Sequence, residues 1–139
     1  MQDDVHLEPT LINCTGEQFP SGTNTQDGAR LDISARNFWT PLDRAFMDIR
    51  VLHPQAQSNS SKSILQMYSC HEQEKKRKYN ARVVNIEKAT FTPLVFATTG
   101  GMSNEAAKFY KHLADRLSQK TGQKYCDVIA FIRRRLTTL

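Results

Sequence analysis

Three short runs in the first half of the chain are apolar or alternate apolar and polar residues, a pattern typical of strands. They cover residues 5–8, 29–34 and 45–52. In the second run the alternation predicts that Leu31 and Ile33 face the same side of a sheet. The third run is apolar except at Asp48 and Arg50, so it predicts a strand of a buried sheet.

The second half of the chain predicts three helices and one more strand. Residues 62–89 contain no glycine or proline, and either Ser61 or Ser63 can cap the helix that they predict. Residues 91–97 are apolar, but Pro93 restricts this strand to a sheet edge or a strand end. Two further helices are expected over residues 103–120 and 124–137. This order of elements is typical of the α/β or α+β class.

Composition allows one domain and excludes several classes of protein. The 139 residues suffice for a single domain, of which residues 1–28 form a polar, loop-rich N-terminal segment. No apolar run is long enough to span a membrane, and the first residues lack the apolar stretch of a secretory signal. Three widely spaced cysteines without a CxxC pair argue against a disulfide framework. They favour an intracellular location, nuclear or cytoplasmic.

The net charge of +5 is unevenly distributed along the chain. Residues 1–60 carry four basic and eight acidic side chains, whereas residues 61–139 carry fifteen basic and six acidic ones. The basic second half suggests a polyanion as a partner. The acidic first half is explained equally well by solvated surface charge.

Two acidic residues interrupt the strand patterns of the first half. Asp32 lies in the short run at 29–34, and Asp48 lies inside the apolar run at 45–52. If these two strands pair, the two carboxylates lie side by side. Adjacent carboxylates repel each other unless a cation lies between them, and Mg²⁺ favours one or two carboxylates with waters and a phosphate.

A lysine interrupts the apolar face of the long predicted helix. Its inward stripe recurs at spacings of three and four residues and consists of Tyr68, Glu72, Lys75, Tyr79, Val83 and Ile86. Lysine is rarely buried without a partner. Near two metal-binding carboxylates, Lys75 can orient or deprotonate a water, or hold a scissile phosphate.

Each of these residues also has a plainer interpretation. Asp32 and Asp48 can be strand-end residues, or can pair with Arg30 and Arg50. The stem of Lys75 can lie on apolar surface while its ammonium group stays in water.

Three segments of the chain, taken in order, resemble the PD-(D/E)XK nuclease pattern. That pattern consists of an acidic residue, then an acidic-x-basic triplet on an apolar strand, then a helix with K-x-x-x-Y. The three segments are GARLDI at residues 28–33, AFMDIRV at 45–51 and EKKRKY at 74–79. More narrowly, the chain resembles the restriction-like endonuclease domain of non-long-terminal-repeat retrotransposons. The blocks NTQDGARLDISARNFW and KATFTPLVFATTGGM also resemble a segment that recurs in transposon-derived animal proteins. The resemblance covers roughly residues 5–135.

The resemblance implies a restriction-endonuclease-like α/β fold, with a small mixed sheet flanked by helices. It implies a DNA endonuclease dependent on Mg²⁺ or Mn²⁺, in which Asp32, Asp48 and the Ile49 carbonyl bind the metal. Lys75 would match the catalytic lysine, moved from the strand to the helix, and Tyr79 the tyrosine one turn later. Non-specific contacts to nucleic acid are expected from Arg30, Arg50, Arg77, Lys78, Arg82, Lys111, Arg133, Arg134 and Arg135.

The chain departs from the family pattern at three points. Leu31 stands where the family often has proline, and Arg50 stands where a standard nuclease has lysine. A guanidinium group cannot act as a base at neutral pH, so the hypothesis requires Lys75. The family usually has an upstream zinc knuckle and a first helix with an acidic residue, so we expect an incomplete, N-terminally truncated domain. A catalytically inactive remnant that binds nucleic acid non-specifically is the alternative.

Overall fold

A computed structural model describes residues 5–55 and 63–136, which form a four-stranded mixed sheet with helices on both faces. The strands are β1 (Val5–Leu7), β2 (Ile33–Arg36), β3 (Arg44–Leu52) and β4 (Thr90–Ala97). The helices are α1 (Ile64–Arg82), which continues into a π-helical turn (Val83–Glu87), α2 (Asn104–Thr121) and α3 (Tyr125–Leu136). The predicted mixed α/β class is confirmed.

The strands follow their order in the chain across the sheet, from β1 at one edge to β4 at the other. β1, β2 and β3 are antiparallel, whereas β3 and β4 are parallel over their whole paired length, from Ala45↔Thr90 to Leu52↔Ala97. The edge position of β4 accommodates Pro93, as the sequence predicts. β2 ends its pairing at Ile33↔Met47, so in the described residues the second half of β3 pairs only with β4.

Alternate residues of β3 belong to two different cores. Phe46 is buried with Phe91 and Val83 on the side of the sheet that α1 covers. Met47 is buried with Leu94 and Ala106 on the side that α2 covers. This alternation places even-numbered residues of β3, including Asp48, on the α1 side.

Ser63 caps α1: its side chain accepts a hydrogen bond from the Gln66 backbone N–H, and the Gln66 side chain accepts one from the Ser63 backbone N–H. Such a reciprocal cap satisfies two backbone donors that a helix start leaves free. Ser61 and the predicted start at residue 62 lie outside the described residues. The predicted helix extends to residue 89, but α1 ends at Arg82. A π-helical turn follows it and is capped by Lys88, which has a φ of 53°.

The prediction of a strand over residues 29–34 is wrong in its boundaries and its facing. β2 begins only at Ile33, and Asp32 lies in a bend immediately before it. Leu31 is buried beside Phe46 on the α1 side, whereas Ile33 packs on the α2 side. The bend at Asp32 turns the backbone and therefore breaks the alternation on which the prediction depended.

The loop between β1 and β2 is fastened to the end of α1 by Arg82. This side chain is fully buried, and its guanidinium group donates to the backbone carbonyls of Ile12, Asn24 and Gln26 at 2.9–3.0 Å. The predicted contact of Arg82 with nucleic acid is therefore wrong, because these carbonyls occupy the guanidinium group away from the surface.

α2 and α3 form a hairpin on the face opposite α1. α2 is capped by Ser103 and ends at Gly122, and α3 packs against it through Tyr110 and Val128. The Tyr110 hydroxyl donates to the carbonyl of Ile129 at 2.8 Å. In the part of the chain that the structure describes, no helix is long and apolar enough to cross a membrane.

Candidate functional site

Asp32, Asp48 and Lys75 come together on the α1 side of the sheet. The Lys75 ammonium group lies 2.7 Å from Asp48 Oδ2, and both side chains are largely shielded from water. Asp32 Oδ2 accepts a hydrogen bond of 2.6 Å from the backbone N–H of Ile49. The two carboxyl groups are close enough to interact, and the proximity of Asp32 raises the pKa of Asp48. The sequence expectation that the two acids lie side by side therefore agrees with the geometry.

The local fold explains this convergence. Asp48 lies one pair beyond the end of the β2–β3 ladder, on the face that α1 covers. Lys75 is near the middle of α1, which packs across β3 and β4. Asp32 is held at the bend because its carbonyl accepts from the N–H of Glu8 at 2.8 Å. The Asp32 side chain therefore accepts the hydrogen bond of the Ile49 N–H, which would otherwise go to the backbone of a longer β2 strand.

The electrostatics of Asp48 are dominated by its burial. Burial raises the pKa of the Asp48 carboxyl above its ordinary value, the neighbouring Asp32 carboxyl raises this pKa further, and Lys75 opposes both effects. A positive charge beside the two acids would therefore favour the charged form of Asp48, as Lys75 already does.

The donors at this point fit a small, hard cation such as Mg²⁺. Asp48 Oδ2 is committed to Lys75 and Asp32 Oδ2 to the Ile49 N–H, which leaves the second oxygen of each carboxyl group as a possible ligand. The N–H and C=O of a strand residue point to the same edge, so the Ile49 carbonyl lies on the Asp32 side of β3. Mg²⁺ is commonly bound by one or two carboxylates, with water and substrate phosphate as its other ligands. Within residues 5–55 and 63–136 there is no cluster of three or more His, Cys, Asp or Glu side chains able to hold a metal.

Tyr79 lies one helical turn after Lys75 and forms part of the same site. The Lys75 ammonium group is 5.9 Å from the centre of the Tyr79 ring. The Tyr79 ring packs against Phe91, and its hydroxyl is 3.4 Å from the Asn24 amide nitrogen. Sequence reasoning did not identify Asn24, because a polar residue in a long loop carries no signal of what it contacts.

Asp32, Asp48 and Lys75 together form what we call the carboxylate–lysine site. Four of the predicted nucleic-acid contacts lie on segments that border it. Arg30 and Arg50 are exposed, each two residues from one of the two acids. The Arg77 stem covers Gly22, where an added Cβ would lie 3.0 Å from it, and Lys78 pairs with Glu74 at 3.4 Å.

The remaining predicted contacts lie on the opposite face of the sheet. Lys111 is exposed on α2, and Arg134 is exposed on α3. Arg133 and Arg135 also belong to α3, but their side chains lie outside the described part of the chain. The structure therefore does not bring Lys111 or Arg134 together with Asp48 and Lys75.

Comparisons were made with protein-family models, with curated proteins and with solved structures. No family model, curated protein or solved structure matches the chain.

Proposed function

We propose that the chain is a metal-dependent endonuclease domain of the restriction-endonuclease-like type, derived from a retrotransposon, that hydrolyses phosphodiester bonds of DNA. The observation that carries the proposal is the ion pair of 2.7 Å between Lys75 and Asp48, with the Asp32 carboxyl group beside that of Asp48. A buried carboxylate, a second acid beside it and a partly buried lysine are costly to place together, and such groups concentrate at functional sites. A DNA substrate is consistent with a nuclear or cytoplasmic location.

In this proposal, Asp32, Asp48 and the Ile49 carbonyl hold Mg²⁺ or Mn²⁺. When bound, the ion would polarise the scissile phosphate and lower the pKa of the attacking water. A bound cation would also favour the charged form of Asp48. Lys75 keeps Asp48 oriented through its ion pair, and Asp32 remains fixed by the Ile49 N–H.

Hydrolysis joins a water oxygen to phosphorus and breaks one P–O ester bond, and the leaving oxygen takes up a proton. Negative charge on the phosphate oxygens increases as the water attacks. The Lys75 ammonium group donates hydrogen bonds, so its role is to stabilise that charge and position the water rather than to accept a proton. The exposed side chains of Arg30, Arg50 and Arg77 would contact neighbouring phosphates.

Cleavage of supercoiled plasmid in Mg²⁺ or Mn²⁺ tests the proposal. The wild-type chain should nick the plasmid with metal and not with chelator. Asp48→Asn or Lys75→Ala should reduce the rate by a factor of about 10² or more. Lys76→Ala is the matched control, because Lys76 is the adjacent lysine of α1 and pairs instead with Glu105 at 3.4 Å.

Lys76→Ala should cut as the wild-type chain does. Cutting that survives in Lys75→Ala, or that is lost equally in Lys76→Ala, would contradict the site assignment.

A second candidate function is favoured by Arg50 and by the small number of acids at the site. Arg50 cannot replace the strand lysine of a standard nuclease as a base, and only two carboxylates converge among the described residues. On this reading the domain binds nucleic acid without cutting it. Salt-sensitive DNA binding with no effect of metal would favour this candidate, and metal-stimulated cleavage would exclude it.

A further inference from the structure

A cleft lies on the face of the sheet opposite the carboxylate–lysine site. It has a volume of about 420 Å³ and opens between the second half of α2 and the β1–β2 edge of the sheet. Ala35 forms part of its floor and belongs to the core on the α2 side, which separates the cleft from Asp48.

The lining combines three kinds of chemistry. Its walls are apolar and are formed by Val5, Ala35, Phe38, Leu113 and Leu117. Its rim carries three cations, Arg36, Arg116 and Lys120, and two amides, Asn37 and Gln119. None of these described lining residues is acidic.

Two contacts hold the rim and one wall in place. Arg116 donates to the backbone carbonyl of Asn37 at 2.7 Å, which fixes its guanidinium group between α2 and the loop that follows β2. Phe38 packs edge-on against Trp39 and tilted against Phe109, with ring centres 4.9 Å and 5.2 Å apart. The cleft therefore has a rigid aromatic wall and a fixed positive charge.

The net positive charge of the chain is concentrated in the segment that begins with the helix lining this cleft. Residues 1–103, which include the carboxylate–lysine site, carry eleven basic and eleven acidic side chains. Residues 104–139, which include α2 and α3, carry eight basic and three acidic ones, so the whole net charge of +5 lies there. An excess of positive charge that extends beyond one cleft suits a polyanion rather than a small anion.

We propose that this cleft binds single-stranded nucleic acid, with one base between the apolar walls and the flanking phosphates on Arg36, Arg116 and Lys120. The Asn37 and Gln119 amides can hydrogen-bond the edge of the base. An apolar slot with amides and a cationic rim is the combination by which proteins hold unstacked bases. The site is separate from Asp48 and Lys75, so binding does not require the carboxylate–lysine site to be catalytic.

Fluorescence anisotropy in chelator, with the whole chain, measures this binding without any cleavage. The probe is a labelled oligothymidylate of about ten nucleotides, compared with a duplex of equal length. The single strand should bind at least about tenfold more tightly than the duplex, with an affinity that falls as salt rises. Thymidine monophosphate should compete only weakly, because it lacks the flanking phosphates. Equal binding of the duplex or of the mononucleotide would overturn the proposal.

Lys120→Glu should weaken binding of the oligonucleotide by about tenfold, because it reverses one charge at the rim. Lys108→Glu is the matched control, since Lys108 is an exposed lysine of α2 that does not line the cleft. Equal losses in the two variants would show only a general charge effect and would contradict the cleft.

Val5→Lys separates base insertion from simple charge attraction. Val5 is about half exposed on the edge strand, so the variant should fold, which thermal unfolding checks. It adds a positive charge but removes an apolar wall, so the proposal predicts weaker binding, by about fivefold. Tighter binding in Val5→Lys, or equal competition by a polyglutamate peptide, would instead indicate a site for any polyanion.

Discussion

Asp48 is buried, paired with a lysine and close to another carboxyl group, and these three conditions conflict at neutral pH. The lysine favours the charged form, whereas burial and Asp32 favour the protonated form. The structure therefore places Asp48 in an electrostatic conflict that a divalent cation beside the two carboxyl groups would relieve. Removing the competing charge of Asp32 should relieve it as well.

Asp32→Asn should stabilise the protein at pH 7 in the absence of metal, by about 1 kcal/mol. The asparagine oxygen can still accept from the Ile49 N–H, while its amide can donate to Asp48 and remove the repulsion. Urea unfolding measures the change in the free energy of unfolding. Asp27→Asn is the control, because Asp27 is exposed in the preceding loop, and its stability should not change.

The same pair predicts a pH dependence of stability. Because the pKa of Asp48 is raised in the folded state, its contribution is largest below the unfolded-state pKa of about 3.9. That contribution is lost as pH rises through the higher folded-state pKa. The free energy of unfolding of Asp32→Asn should fall less over this range than that of the wild type. Parallel pH profiles for the two proteins would contradict the coupling of Asp32 and Asp48.

Arg82→Met should destabilise the protein by about 2–4 kcal/mol. Methionine keeps much of the buried stem but leaves three loop carbonyls without the guanidinium donors. Thermal unfolding measures the loss, and proteolysis should cut the loop between β1 and β2 sooner. Arg77→Met, at an exposed arginine of α1, should change stability little. A small effect of Arg82→Met would mean that the loop does not depend on this contact.

The candidate site and Arg82 differ in how far the sequence alone reveals them. Asp48 and Lys75 are visible because each interrupts an apolar pattern at a position that must face the core. Arg82 also belongs to the helix, but its partners are backbone carbonyls. Every residue has such a carbonyl, so the sequence does not show which of them Arg82 contacts. The pattern therefore suggested a surface cation where the structure has a buried one.

At the scale of elements, the bounds of elements marked by an apolar run or by capping residues were the most predictable. β3, β4 and α2 begin and end close to the predicted residues, because burial on both faces or capping residues define them. β2 was displaced because hydrogen bonds from distant residues produce the bend before Ile33. The π-helical turn after α1 has no glycine or proline to mark it.

Contact between α1 and the loop after β4 depends on the absence of a side chain at Gly101. A Cβ at this position would lie 2.4 Å from the Tyr68 hydroxyl, which is too close for an unshifted structure. Gly101→Ala should therefore cost about 1–3 kcal/mol in the free energy of unfolding.

Tyr68→Phe should rescue Gly101→Ala, because the next atom of the ring is 3.6 Å from the added Cβ. Thermal unfolding of the two single variants and the double variant measures this rescue. Additive losses in the double variant would show that the tyrosine hydroxyl is not the obstacle.

At the scale of the molecule, the sheet separates two candidate surfaces. The side that carries α1 holds the two acids and the lysine, and the side that carries α2 and α3 holds the apolar cleft with its cationic rim. The sequence already showed a basic second half, but it could not show that its cations are divided between the two faces. Binding of nucleic acid and chemistry on it should consequently respond to different substitutions.

The proposed function requires Asp32 and Asp48 to share a divalent cation, and thermal unfolding in Mn²⁺ tests this most directly. Mn²⁺ at about ten times its dissociation constant should stabilise the wild type by about 1.4 kcal/mol, a rise in Tm of about 4 °C. Asp27→Asn should show the same rise, and Asp32→Asn and Asp48→Asn should show little or none. An equal rise in all four proteins, or no rise in the wild type, would contradict the metal site.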